Sequence, residues 1–150
     1  MNDKPKDHAS KSDRAELSDP LEFPAGLPGF EEHKQFIFES RAEMRPFLWL
    51  RSVDDPEMAL PVISCFLLKK QVLLHISKEE LSLIGSPAEA DIAPYYILRV
   101  DPKEGTITAN TKAPVIINTK SMQGRQVILE RDDLVVDEPL KNLVPSGEGA

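Results

Sequence analysis

The stretch that decides the fold is Tyr95-Tyr96-Ile97-Leu98-Arg99-Val100, followed by Asp101-Pro102-Lys103-Glu104-Gly105. Aromatic and β-branched side chains fit a pleated, half-buried surface, so residues 95–100 read as a strand. The strand must end at the next five residues, because Pro fixes φ and Gly permits φ > 0. Downstream, Thr106–Ala109, Val115–Asn118 and residues 125–129 read as further short strands.

The same grammar holds upstream. Leu21-Glu22-Phe23 alternates and then meets Pro24. Ala25-Gly26-Leu27-Pro28-Gly29 must turn. Gln35-Phe36-Ile37-Phe38 and Phe47-Leu48-Trp49-Leu50 read as strands, and Ser52-Val53-Asp54-Asp55-Pro56 as a turn. Residues 61–68 and 71–76 suit a hairpin across Lys69-Lys70. One helix stands out. Ser77-Lys78-Glu79-Glu80 is a capping box, Leu81 and Ile84 give an apolar edge, and Gly85 is a stop signal. Ser86-Pro87-Ala88-Glu89 opens a second short helical turn, with Pro at its first helical position. The expected fold class is mostly β: a small antiparallel β-barrel or sandwich with one or two short helices.

The chain has 150 residues, 41% of them apolar and 29% charged. One domain is the natural count, and its size allows a core without staples. Residues 1–20 carry nine charged residues and only Met1, Ala9, Ala15 and Leu17 as apolar ones. They are expected to form a disordered leader. The folded body is then expected over 21–140, with a flexible tail at 141–150.

Eighteen basic against 25 acidic residues give a net charge of −7. That argues against direct nucleic-acid binding and favours a basic partner protein. No apolar run approaches the ~20 residues needed to span a bilayer. The polar start is not a signal peptide. A cytoplasmic protein, monomeric alone, is expected.

Catalytic and metal chemistry find little to stand on. The single Cys65 excludes an intramolecular disulfide and a cysteine-cluster zinc site. His8, His33 and His75 lack metal-ligand spacing. Cys65 lies in the apolar run Ser64-Cys65-Phe66 and reads as a buried inert thiol. A Cys65–His75 pair across the expected hairpin is the only conceivable nucleophile and base. The acidic pairs Asp54-Asp55, Glu79-Glu80 and Asp132-Asp133 are adjacent in sequence and point apart. No glycine-rich phosphate loop is present. Trp49, in mid-strand, reads as core, and one ring of Tyr95-Tyr96 as outward. No cofactor is expected.

Three segments carry a family resemblance. They are Phe23-Pro24-Ala25-Gly26-Leu27-Pro28-Gly29-Phe30-Glu31; then Pro46-Phe47-Leu48-Trp49-Leu50-Arg51-Ser52 with Asp54-Asp55-Pro56; then Asn110-Thr111-Lys112-Ala113-Pro114-Val115-Ile116-Ile117-Asn118 with Gly124-Arg125-Gln126-Val127-Ile128-Leu129. In order and spacing the chain resembles the flagellar assembly factor FliW family over about 22–130. Two positions depart from the family's usual residues: Thr111 stands for Leu and Arg51 for Gln. The middle, 59–95, also departs.

The resemblance implies a compact, mostly antiparallel β-barrel and a protein-interaction switch without cofactor or metal. Proteins of this kind bind newly made flagellin. They also bind the RNA-binding translational repressor CsrA and antagonise it allosterically. Candidate partner contacts are Phe30, Glu31, Asn110, Lys112 and Gln126 from the motifs. Asp54, Asp55 and Glu57 join them on charge alone, facing a basic repressor. The alternatives are a flagellin-specific chaperone or structural binding protein without repressor control, and a small Cys/His enzyme.

Overall fold

The decisive stretch forms β6 (Ile92–Asp101), long enough to pair with three neighbours. In this computed structural model, which describes residues 15–69 and 76–145, β6 pairs along one edge with β5 (Ala59–Ser64). Its other edge holds β8 (Val115–Asn118) over residues 92–95 and β7 (Thr106–Ala109) over residues 98–101.

The remaining strands are β1 (Ala15–Leu17), β2 (Leu21–Glu22), β3 (Gln35–Arg41), β4 (Leu48–Ser52), β9 (Gln123–Gln126) and β10 (Glu138–Pro139). The pairing order β6-β5-β4-β3-β2-β9-β8 returns to β6 and closes a ring. Every pairing is antiparallel except β2 with β9, a parallel seam at Glu22 and Gln123. The expected small barrel is therefore correct, with one parallel join. β7 and β10 extend beyond the ring as a flap, and β1 lies beside β3.

Strand alternation sends one set of side chains inside the ring and the other outside. Leu21, Phe23, Leu27, Phe36, Leu50, Val62, Val115 and Ile117 fill the interior. Two outer patches are covered as well. Ile63, Tyr96, Leu98 and Ala109 pack beneath Leu140 and Leu143 near the C-terminal end. Ile116 packs with Ile84, Val127, Leu129 and Leu134. Both faces of β8 are thus covered, which is why all four of its residues are buried. Burial at this scale, roughly 25 cal/mol per Å² of apolar surface, drives the ring to close.

The helix is where the capping signal placed it: α1 (Lys78–Ser82), with the Ser77 Oγ accepting from the Glu80 N–H. Several local expectations need correction. The strand expected over 61–68 stops at Ser64, whose Oγ accepts from the Phe66 N–H at 3.2 Å and turns Cys65–Leu67 into a single 3-10 turn. Residues 70–75, most of the hairpin's second half, lie outside the described residues, and His75 with them.

The strand expected over 125–129 runs instead over Gln123–Gln126. Val127 and Leu129 still donate to the Pro114 and Lys112 carbonyls. Pro114 has no N–H to return, so the ladder fails there. The second helical turn is a 3-10 turn at Glu89–Asp91 capped by Ala88, leaving Pro87 ahead of it. Trp49 is half-buried rather than core. Neither ring of the Tyr pair is exposed: Tyr95 packs on Phe38 inside the ring and Tyr96 is buried outside it.

Beyond residues 21–140 lie β1 on one side and the end of a 3-10 turn over Leu140–Asn142 on the other. Ser18 donates its N–H to the Phe38 carbonyl and accepts the Phe38 N–H on its hydroxyl, which holds β1 against β3. At the other end Leu143 is buried. Residues 1–14 and 146–150 lie outside the described residues.

Candidate functional site

The first motif folds into a tight loop between β2 and β3. Gly26 has φ +67°, and a Cβ there would fall 2.6 Å from the Glu31 Cα, so the loop needs glycine to fold back on itself. Leu27 and Phe30 bridge across it. The Gly29 N–H donates to the Glu31 carboxylate at 3.1 Å, and that bond first of all holds the carboxyl below its ordinary range. Phe30 is exposed and meets the His33 ring edge-on.

His33 joins the first motif to the second. Its Nδ1 is hydrogen-bonded to the buried Ser52 hydroxyl at 2.8 Å, and the same oxygen accepts from the Asp55 N–H. Asp54, Asp55 and Glu57 are exposed on the turn that follows. Asp55 shapes that turn, accepting from the Glu57 and Met58 N–H groups.

In the third motif the side chains are engaged within the chain. The Asn110 Oδ1 accepts from the Lys112 and Ala113 N–H groups, both at 3.1 Å, and closes an Asx turn. Asn118 does the same with Lys120 and Ser121 while donating to the Ile84 carbonyl. Gln126 donates to the Ala113 carbonyl at 2.9 Å. Lys112 is half-buried.

A groove of about 400 Å³ runs between the first-motif loop and β9. Its walls include Glu31, Glu80, Glu130, Arg125 and Ile128. Of the eight candidate contacts it brings together Glu31 and Gln126. Phe30 stands beside Glu31 on the loop without lining the groove, and the Asp54–Asp55–Glu57 turn lies apart.

Sequence reasoning missed Glu80, Arg125, Ile128 and Glu130 as groove residues. Glu80 was legible only as half of the capping box. Its carboxylate instead accepts from the Arg125 Nε at 2.5 Å. Ile128 carried a readable signal: in the extended apolar run Val127-Ile128-Leu129 the middle side chain points away from its neighbours, and it is exposed while they are buried.

Both departures from the family pattern have structural work. Arg51 donates to Glu39 at 2.6 Å, and Glu39 also meets Arg41. Burial alone would raise the Glu39 carboxyl; the two guanidiniums outweigh it and hold the group below its ordinary range. Thr111 is buried, donating its hydroxyl to the Val135 carbonyl and accepting the Val135 N–H, both at 3.0 Å.

Cys65 is buried, and burial pushes its thiol up to about 12. A thiol so disfavoured as thiolate is a poor nucleophile at neutral pH. Its notional partner His75 lies outside the described residues. Among the described residues no cluster of His, Cys, Asp and Glu has a metal-binding arrangement, and no helix is long and apolar enough to cross a membrane.

The comparisons with known proteins agree with one another. A family model described as "FliW protein" matches residues 7–140. The flagellar assembly factor FliW of Alkaliphilus metalliredigens (strain QYMF) is 35% identical over 113 residues, spanning 75% of this chain and 70% of that one. The flagellar assembly factor FliW of Syntrophomonas wolfei subsp. wolfei is 34% identical over 125 residues, spanning 83% and 80%. A crystal structure of the flagellar assembly factor FliW matches with a TM-score of 0.74 at 32% identity, covering 85% of this chain and 86% of that one.

Proposed function

The chain belongs to the FliW family of flagellar assembly factors, and on that premise we propose that it binds newly made flagellin and, in alternation, the RNA-binding repressor CsrA. Binding the repressor antagonises it, so the level of free flagellin sets flagellin translation. The place of action proposed is the cytoplasm. The family is one of assembly factors, not of enzymes, and the buried Cys65 thiol accords with that.

The observation that carries the reading is the charge of the groove joining the first and third motifs. Glu31, Glu80 and Glu130 stand there against Arg125 alone, on a chain whose net charge is −7. A repressor that grips RNA must present basic surface. Complementary charge speeds encounter and makes it sensitive to salt. An acidic protein can antagonise such a repressor by covering its RNA site or by binding elsewhere and biasing its state. The family resemblance favours the second, allosteric route.

Calorimetric titration of the full chain with purified CsrA and, separately, with purified flagellin tests the proposal. The expected result is binding to both, with the CsrA complex weakening as salt rises. Binding to flagellin alone would leave a flagellin chaperone without repressor control.

A further inference from the structure

We propose that the groove along β9 seats a segment of the basic partner in which an apolar side chain lies a few residues from a lysine or arginine. The inference rests on the reading above and deepens it, from an acidic protein to one docking surface and the chemistry of what fills it.

A smaller hollow adjoins the groove. The two lie side by side over β9, with Ala25 and Arg125 lining both. The smaller, about 180 Å³, is apolar and walled by Pro24, Leu83 and Ile84. The larger, about 400 Å³, carries Glu31 and Glu130 with Ile128. Leu83 and Ile128 are half or more exposed, at 50% and 56%. One end therefore offers apolar surface and the other negative charge.

Among the described residues the negative charge is only partly offset. Arg125 is paired with Glu80 at the junction of the hollows. Lys34, whose charge reaches Glu31, donates its ammonium to the Pro24 carbonyl at 3.1 Å. Glu31 and Glu130 remain exposed. A second copy of this acidic chain would bring like charge to the groove, and a nucleic acid would bring phosphates. A basic segment is favoured on both counts. An extended or helical segment with one apolar anchor and one cation fits the two ends in turn.

The test is an affinity comparison using purified CsrA and the full chain. The wild type is compared with the double variant Glu31→Lys/Glu130→Lys and with Glu43→Lys/Glu104→Lys, which makes the same charge change at exposed positions outside the groove. The groove variant is expected to bind about tenfold or more weakly at moderate salt, and the control by about twofold or less. Backbone amide shifts in the wild-type complex, expected at Ala25, Leu83, Arg125 and Ile128, give a readout independent of how the variants fold. Equal losses in the two variants, or amide shifts confined to other surfaces, would overturn the groove proposal alone. A wild-type chain that binds neither CsrA nor flagellin would overturn the underlying reading with it.

Discussion

The Arg125 Nε donates to the Glu80 carboxylate at 2.5 Å, joining β9 to the α1 helix 45 residues upstream. Both side chains are about one-third exposed or less. The pair fixes one wall of the groove against its floor. Partly exposed ion pairs contribute little to global stability, under about 1 kcal/mol. Arg125→Leu is therefore expected to leave the melting temperature nearly unchanged while the amides of residues 80–84 exchange faster with deuterated solvent. Exchange at the wild-type rate would show that α1 is held by its apolar contacts alone.

The buried Glu39 predicts the acid limb of stability. Its folded carboxyl is held below its ordinary value by Arg51 and Arg41 against the opposing effect of burial. A carboxyl depressed on folding stabilises the protein above its unfolded pKa of ~4.3. That stability is lost as pH falls through the folded value. Glu39→Gln should cost about 1–3 kcal/mol at neutral pH and flatten the loss below about pH 4. Urea titrations across pH read both effects, and identical slopes for the two proteins would refute the assignment.

Gly124 lies where β9 meets the interior. A Cβ there would stand 2.6 Å from the Phe23 ring and 2.7 Å from the Ile117 Cδ1. Overpacking of this kind costs about 1–3 kcal/mol. In a chain of this size each kcal/mol lowers the melting temperature by roughly 2–4 °C. Gly124→Ala is expected to melt lower by several degrees, as read by calorimetry. An unchanged melting temperature would mean that Phe23 has room to shift.

Cys65 should behave as a packing residue. With its thiol pushed up to about 12 and its side chain buried, alkylation at pH 8 is expected only from the unfolded chain. Iodoacetamide labelling should run at least a hundredfold slower, as an order of magnitude, in buffer than in urea. Comparable rates would reopen a reactive role for the thiol.

Much of this architecture was legible in local chemistry. Thr106–Ala109 and Val115–Asn118 fall where turn residues bounded β-prone runs, and Ser77 caps the helix the sequence marked. What was hidden depends on partners far away in the chain. The run after Ser64 is as apolar as a strand, yet the Ser64 hydroxyl captures the Phe66 N–H and turns it. β1 lies in a charged stretch and is held through Ser18 and Phe38, a contact no local pattern reveals. Val127 and Leu129 read as strand, but Pro114 opposite cannot complete their ladder.

The functional surface was only half visible for the same reason. Glu31 and Gln126 belong to recognisable motifs. Glu130 directly follows the third motif, but Glu80 is far from both in sequence and lines the groove only because the fold brings α1 and β9 beside the first-motif loop. The amides of Asn110 and Gln126 looked available for a partner, and the fold engages Asn110 in closing its own turn and Gln126 in a bond to the Ala113 carbonyl.

The central claim is that this chain couples flagellin level to the repressor's grip on RNA. The most direct measurement follows a fluorescent RNA bound to purified CsrA, with this chain added first and flagellin second. The account predicts that the chain releases the RNA and that flagellin restores the RNA–repressor complex. RNA binding that ignores the chain, or a release that flagellin does not reverse, would contradict it.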